Sequence, residues 1–330
     1  MSMAVGSMPH RDPADACRVV LKHTPALPAW PQLPNRSTRE LMHLQAAEGL
    51  PGVLLRGGRI SVDAADALSH KVENSSGCPM SPESASGLHA FLSTDIGNPI
   101  AVKGQLIGPV SFCLAVKDQD SEPLLFNERL SLMVAEHLRL KALWQENALA
   151  KLCPRTVFFL DEPGLGILER SHVAPDDFAI QLIEHTLSGV NGIKGIHCCS
   201  SDGLELLLRT SVEIIGVDVY NHVNLFAGYS QEVESFLARG GILAWGVVPT
   251  KESALAAETV DNLANRLDQA VRRLADWGVS EERLRKQWMF TTSCGLASLR
   301  PEGAEQALKL AAELSRKLGT GQSVRALAPS

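Results

Sequence analysis

The stretch GIHCCSSDGLELLLRTSVEIIGVDV, residues 195–219, sets two short apolar runs around a segment of helical character. Gly195–Cys199 and Ile214–Val219 are read as strands, and Asp202–Thr210 as the helix between them. A strand, a crossover helix and a second strand in this order place the two strands parallel.

Outward from this unit the pattern repeats along the chain. The candidate strands are Ala4–Met8, Leu27–Leu33, Ile100–Leu106, Thr156–Asp161, Gly195–Cys199, Ile214–Val219, Ile242–Val248 and Trp288–Ser293. Helical segments are expected at Pro13–His23, Ser37–Glu48, Ser81–Phe91, Phe126–Lys151, Pro175–Ser188, Asp202–Thr210, Ser230–Arg239, Ser253–Trp277 and Glu302–Lys317. Strands alternating with helices imply a parallel sheet, and eight such units are the number that closes an α/β (β/α)8 TIM barrel. The expectation is one barrel domain over residues 1–330. Two stretches fall outside the repeat. Gly52–Asp63 reads as a hairpin turning on Gly57-Gly58, and Glu73–Met80 is turn-rich and reads as part of a lid.

Composition excludes several classes. The 330 residues carry a net charge of −6 with Lys and Arg scattered, which argues against a nucleic-acid partner. There is no apolar run of the ~18 residues a membrane span needs and no basic-then-apolar leader, so a cytoplasmic protein with no membrane partner is expected. Seven irregularly spaced cysteines form no disulfide framework and read as thiols or metal ligands.

In a barrel of this kind the chemistry gathers where strands run into the loops that follow them. His197 and Cys199 are two apart on an extended strand and share a side, whereas Cys198 faces the other way. Cys294 closes the eighth strand. One imidazole and two sulfurs match the soft ligand preference of zinc, with one position left for an incoming thiol. Asp218 ends the sixth strand and reads either as a weak fourth ligand or as a helix cap. Asp161 and Glu162 stand at the end of the fourth strand, where they hold a substrate ammonium group or cap the next helix. Ser7 reads as a hydrogen-bond donor to a carboxylate or as a cap, Gln32 as an amide fixed by a stiff, proline-flanked strand end, and Glu40 as a solvated helical residue. Zinc removes the proton from a bound thiol, and two thiolate ligands leave the metal weakly electrophilic, which suits alkyl transfer to sulfur better than activation of water.

Read together, Val5-Gly-Ser-Met-Pro-His10, Phe159-Leu-Asp-Glu-Pro163, His197-Cys-Cys199, Val217-Asp218 and Ser293-Cys-Gly-Leu296 resemble the catalytic barrel of cobalamin-independent methionine synthase. That barrel belongs to a superfamily with corrinoid-dependent thiol methyltransferases and uroporphyrinogen decarboxylase. The resemblance implies a zinc-dependent methyltransferase acting on a thiol, homocysteine first, with His197, Cys199, Cys294 and Asp218 at the metal and Ser7, Gln32, Asp161 and Glu162 around the amino acid.

The chain departs from that pattern in three ways. At this length only the core barrel is expected, without an added N-terminal barrel. Asp218 stands where the family has glutamate. The seventh strand gives Trp245-Gly-Val-Val-Pro-Thr250 where the family has a histidine used for proton transfer, and no histidine lies between 223 and 330. A donor whose leaving group needs no proton is therefore expected: a methylcorrinoid, free methylcobalamin or bound to a carrier protein. Coenzyme M or another thiol is the neighbouring acceptor. A metal-free decarboxylase of the uroporphyrinogen type calls for several arginines near the first strand ends, where only Arg11 stands. A non-enzymatic metal or corrinoid carrier would hold a closed four-ligand zinc.

Overall fold

A computed structural model describes residues 1–56, 59–70, 77–171, 175–200, 202–226 and 228–319. Its strands are β1 (Val53–Arg56), β2 (Arg59–Val62), β3 (Val102–Ile107), β4 (Lys117–Asp118), β5 (Thr156–Asp161), β6 (Ile193–Cys198), β7 (Ile214–Asp218), β8 (Ile242–Val248) and β9 (Trp288–Thr292). Six of them form one parallel sheet in the order β3-β5-β6-β7-β8-β9.

The two outer strands of that sheet are joined through the N-terminal segments. Met3 N donates to Phe290 O at 3.0 Å and Phe290 N to Met1 O at 2.9 Å. Met8 N donates to Gln32 O at 2.8 Å and Gln32 N to Gly6 O at 3.0 Å, while Lys103 N reaches Pro28 O at 2.9 Å. The first two expected strands thus complete a closed ring of eight segments, but as isolated bridges at Ser2, Ser7 and Ala29 instead of ladders. Pro28, Pro31 and Pro34 lack the N–H that a ladder requires. At Gly6, φ is +149° and an added Cβ would lie 2.8 Å from Gln105 Cδ, so only glycine lets the segment approach β3.

Strand alternation sorts the interior. Val157 and Phe159 of β5, Ile193, Ile214, Ile242, Ala244 and Met289 meet Met1, Met3 and Leu27 in a cluster inside the ring. Phe158, Leu160, Ile196, Cys198, Ile215, Val217, Trp245 and Phe290 face the surrounding helices in a larger cluster. Fully buried Lys103 and Gln105 lie within the ring. Lys103 Nζ donates to Val5 O at 2.7 Å and Gln105 Oε1 at 3.1 Å, and sits 4.7 Å from the centre of the Phe159 ring.

Around the ring the helices Pro13–His23, Glu128–Leu149, Asp176–Leu187 and Pro301–Leu318 follow the expected segments closely. Ser253–Trp277 divides into Glu252–Ala257 and Val260–Asp276, because Thr259 is extended and its hydroxyl caps Asn262 N. Ser37–Glu48 divides into a short turn Thr38–Glu40 and the helix Met42–Ala47, with Leu41 extended between them. The helix Pro109–Ala115 was not anticipated; proline at its first position favours a start there. The expected hairpin strands pair as antiparallel β1 and β2, extended by β4, while the expected turn at 57–58 lies outside the described residues. Of the expected lid, 73–76 lie outside the described residues. No helix among the described residues is long and apolar enough to cross a membrane.

Candidate metal and thiol site

His197, Cys199 and Cys294 meet at the end of the ring where β5, β6 and β9 run out. Their ligand atoms all lie within 4.8 Å of one another. His197 follows the inward parity of Gly195 on β6. Opposite it on β7 stands Gly216, whose added Cβ would lie 3.2 Å from His197 Nδ1, so the imidazole lies over a position with no side chain. Cys198 points outward into the helix-facing core and donates to Asp202 O at 3.8 Å, as the two-residue period requires. Cys294 is set by a tight turn after β9, in which Thr292 Oγ1 donates to Cys294 O at 2.7 Å and Leu296 N to Ser7 O at 2.9 Å.

The donor set fits zinc. Both ring nitrogens of His197 are buried without a hydrogen-bond partner among the described residues, a costly state for an imidazole unless another ligand completes it. Tetrahedral zinc with bonds of about 2.0–2.3 Å needs ligand atoms about 3.3–3.8 Å apart, and the three ligand atoms here lie within 4.8 Å of one another. Between the cysteines, a shared hydrogen bond lowers the Cys294 thiol, with His197 adding to the effect, and raises the Cys199 thiol, which burial raises further. The shared hydrogen bond therefore favours loss of one proton from the pair and opposes loss of the second.

These three residues line a cavity of about 370 Å³ together with Ser7, Gln32, Glu40, Met42 and Asp161. Its size suits a small molecule. Asp161 carries the inward parity of Val157 and Phe159 into the cavity, and its Oδ1 is buried and unpartnered among the described residues. Burial pushes its carboxyl up to about 6, opposed by Lys103 and His197. Gln32 is buried and donates through Nε2 to Gln45 Oε1 at 3.0 Å, which fixes its amide. Ser7 is held beside Gly295, where an added Cβ would come 2.0 Å from the hydroxyl.

Three expectations are corrected. Glu162, expected at the substrate, is fully buried and does not line the cavity. Having the opposite parity to Asp161, it turns into the wall and binds the start of the helix Pro109–Ala115: Oε1 accepts from Val110 N at 3.0 Å, Oε2 from Ser111 N at 2.7 Å and Ser111 Oγ at 2.5 Å. Asp218, read as either a weak fourth metal ligand or a cap, stands outside the three-residue group, and its two carboxylate oxygens accept from Asn221 N at 2.9 Å and Asn221 Nδ2 at 2.6 Å in the manner of a cap. Glu40, read as solvated, is 1 % exposed and lines the cavity. Its Oε1 accepts from Arg36 and Ser86, and its Oε2 is buried without a partner among the described residues. The break at Leu41 turns Glu40 inward, and only the poor helix-forming Ser37-Thr38 start hinted at it. Trp245 does not reach the cavity; its ring packs outward, 5.7 Å from Phe226.

No protein-family model matches the sequence, and no curated protein matches it. Among solved structures, a B12-independent methionine synthase from a Shewanella species, in complex with selenomethionine, is 15% identical, with a TM-score of 0.63 over 96% of this chain and 97% of that one. A Listeria monocytogenes protein assigned as a vitamin-B12-independent methionine synthase is 11% identical, with a TM-score of 0.59 over 93% of this chain and 87% of that one. At these identities the likeness establishes the fold: a mixed α/β chain whose parallel-stranded ring is shared with the two methionine synthase structures.

Proposed function

We propose that the chain is a single catalytic domain, a zinc-dependent methyltransferase that moves a methyl group to the sulfur of an amino-acid thiol, homocysteine first, to give methionine. The observation that carries this reading is the meeting of His197, Cys199 and Cys294 on one cavity with two unpartnered carboxylate oxygens, Asp161 Oδ1 and Glu40 Oε2. Zinc held by those three residues would supply the charge that keeps a substrate thiol deprotonated at neutral pH.

The remaining work falls to the chain's own groups. Asp161 and Glu40 offer acceptors to the ammonium group, and Glu40 stays where Arg36 and Ser86 hold it. The Ser7 hydroxyl and the Gln32 amide offer hydrogen bonds to the carboxylate. Position, more than acid–base chemistry, is what these residues contribute. Coenzyme M and other thiols without an amino group leave both carboxylates unpartnered and are the weaker reading of the acceptor.

For the donor, the reading is a methylcorrinoid, free as methylcobalamin or presented by a carrier protein. It rests on the absence of histidine after His222 and on the outward packing of Trp245, which leave the seventh strand without an imidazole acid at the cavity. The two solved structures are described as B12-independent, which is said of those proteins. A site built on free thiols fits a reducing compartment such as the cytoplasm.

The test is to load the protein with zinc and supply homocysteine with methylcobalamin, methyltetrahydrofolate or a methylated corrinoid carrier in separate reactions. Zinc-dependent formation of methionine from the corrinoid donors is expected. Zinc-dependent formation from folate alone would move the donor, and none from any donor, with no thiol binding, would overturn the proposal.

A further inference from the structure

Away from the cavity, Lys141 lies in the long helix Glu128–Leu149 with its side chain fully buried and its Nζ without a hydrogen-bond partner among the described residues. Burial lowers its pKa, and Cys78 and Glu48 are the groups that act against that shift. Glu48 is already engaged, its Oε2 accepting from Ser81 N and from the Ser84 hydroxyl. His137, one turn before Lys141, is bonded through Nε2 to Ala46 O at 2.9 Å and is neutral, with its pKa pushed down to about 3 by burial and then by Lys141. Cys78 is left as the reactive neighbour of the lysine.

The chain holds that cysteine against the helix. Cys78 N donates to Leu140 O at 3.1 Å, and Gly77, at φ +85°, lies so close that an added Cβ would be 2.7 Å from Trp144 Cβ. Cys78 Sγ is 3.8 Å from Glu48 O. An added Cβ on Gly49 would be 3.1 Å from Cys78 Sγ and 3.8 Å from His137 Cε1, so thiol and imidazole share one small space, and the Lys141 side chain, one helical turn on from His137, meets the same thiol. Cys78 is partly exposed, unlike Lys141.

We propose that Cys78 and Lys141 form a peroxide-responsive modification site, in which the oxidised sulfur of Cys78 is captured by the amine of Lys141 as a sulfur–nitrogen cross-link. In the first step the thiol takes one oxygen from hydrogen peroxide: an S–O bond forms, the O–O bond breaks, sulfur loses two electrons and water leaves. In the second the unprotonated Nζ attacks that sulfur, an S–N bond forms, the S–O bond breaks and a second water leaves. Overall one thiol, one amine and one peroxide give the cross-link and two waters. A buried amine with no competing partner is suited to the second step, because desolvation favours its neutral, nucleophilic form.

The full-length chain treated with hydrogen peroxide, alkylated and digested with trypsin tests this by mass spectrometry. A linked peptide pair containing Cys78 and Lys141 is expected, lighter by two hydrogens than the two reduced peptides together, and lost on treatment with dithiothreitol. Dimedone, which captures sulfenic acids, should label Cys78 several-fold more in Lys141→Arg than in the unaltered chain. Recovery of Cys78 as a free or over-oxidised thiol, with ordinary cleavage after Lys141, would overturn the proposal. Because this readout uses the unaltered chain, it decides the matter even where Lys141→Arg fails to fold.

Discussion

Asp161 and Glu162 are adjacent carboxylates that face opposite sides of the barrel wall. Asp161 enters the cavity with Oδ1 unpartnered, while both oxygens of Glu162 are taken up by Val110 and Ser111 at the start of a helix. The two-residue period of β5 forces the division: if Val157 and Phe159 fill the ring, Asp161 follows them and Glu162 cannot.

This division predicts different fates for the two acids. Glu162→Ala leaves two buried backbone N–H groups and a hydroxyl without their acceptor, at a cost of about 3 kcal/mol or more. Denaturant unfolding should show that loss. Asp161→Asn should stay within about 1 kcal/mol of the unaltered protein, since a neutral amide relieves a buried carboxylate. Equal losses in the two variants would contradict the assignment.

Substrate selectivity gives a second expectation. Asp161→Asn and Glu40→Gln should each weaken homocysteine binding about 10-fold or more, the value of a charged hydrogen bond, while binding of mercaptoethanol, which has no amino group, changes little. Calorimetric titration of the zinc-loaded protein with both thiols reads the difference. A parallel loss for the two thiols would remove the carboxylates from ammonium recognition.

The pH dependence of stability has a definite sign. Burial raises the Asp161 carboxyl from 3.8 to about 6 and the Glu162 carboxyl from 4.5 to about 7. The folded chain therefore holds these protons more tightly than the unfolded chain, and that stability is full below the unfolded values and lost as pH rises through the folded ones. Metal-free protein should melt at a lower temperature at about pH 7.5 than at about pH 5, and Glu162→Ala should flatten the slope. A melting temperature that rises over this interval would contradict the burial argument.

Gly216 offers a test of the imidazole position. In Gly216→Ala the new methyl group meets His197 Nδ1 at 3.2 Å and the ring must give way. Zinc affinity should fall about 10-fold, as when a group orienting a ligand is lost, with the fold retained by circular dichroism. Unchanged affinity would mean that the ring does not depend on that open face.

Much of this architecture could be read from the residues. Six barrel strands appear as β-branched runs, and the spacing of His197, Cys198 and Cys199 already separates inward from outward sulfur. The second segment was harder because Pro28, Pro31 and Pro34 leave it single bridges to its neighbours in place of ladders. Glu40 was hidden by a helix break at Leu41 that no proline or glycine announces, and the fate of Glu162 depended on a helix, Pro109–Ala115, supplied from elsewhere in the chain. Lys103 and Gln105 lie in a run otherwise read as apolar, and their partners are backbone oxygens and each other, which sequence order does not reveal.

Zinc X-ray absorption before and after addition of homocysteine tests the central claim most directly. The account predicts one zinc per chain with two sulfur neighbours and one imidazole nitrogen from the protein, the sulfur count rising by one when the thiol binds, and loss of the metal in Cys199→Ser and Cys294→Ser. A zinc without sulfur neighbours, or a closed four-ligand shell unchanged by the thiol, would contradict it.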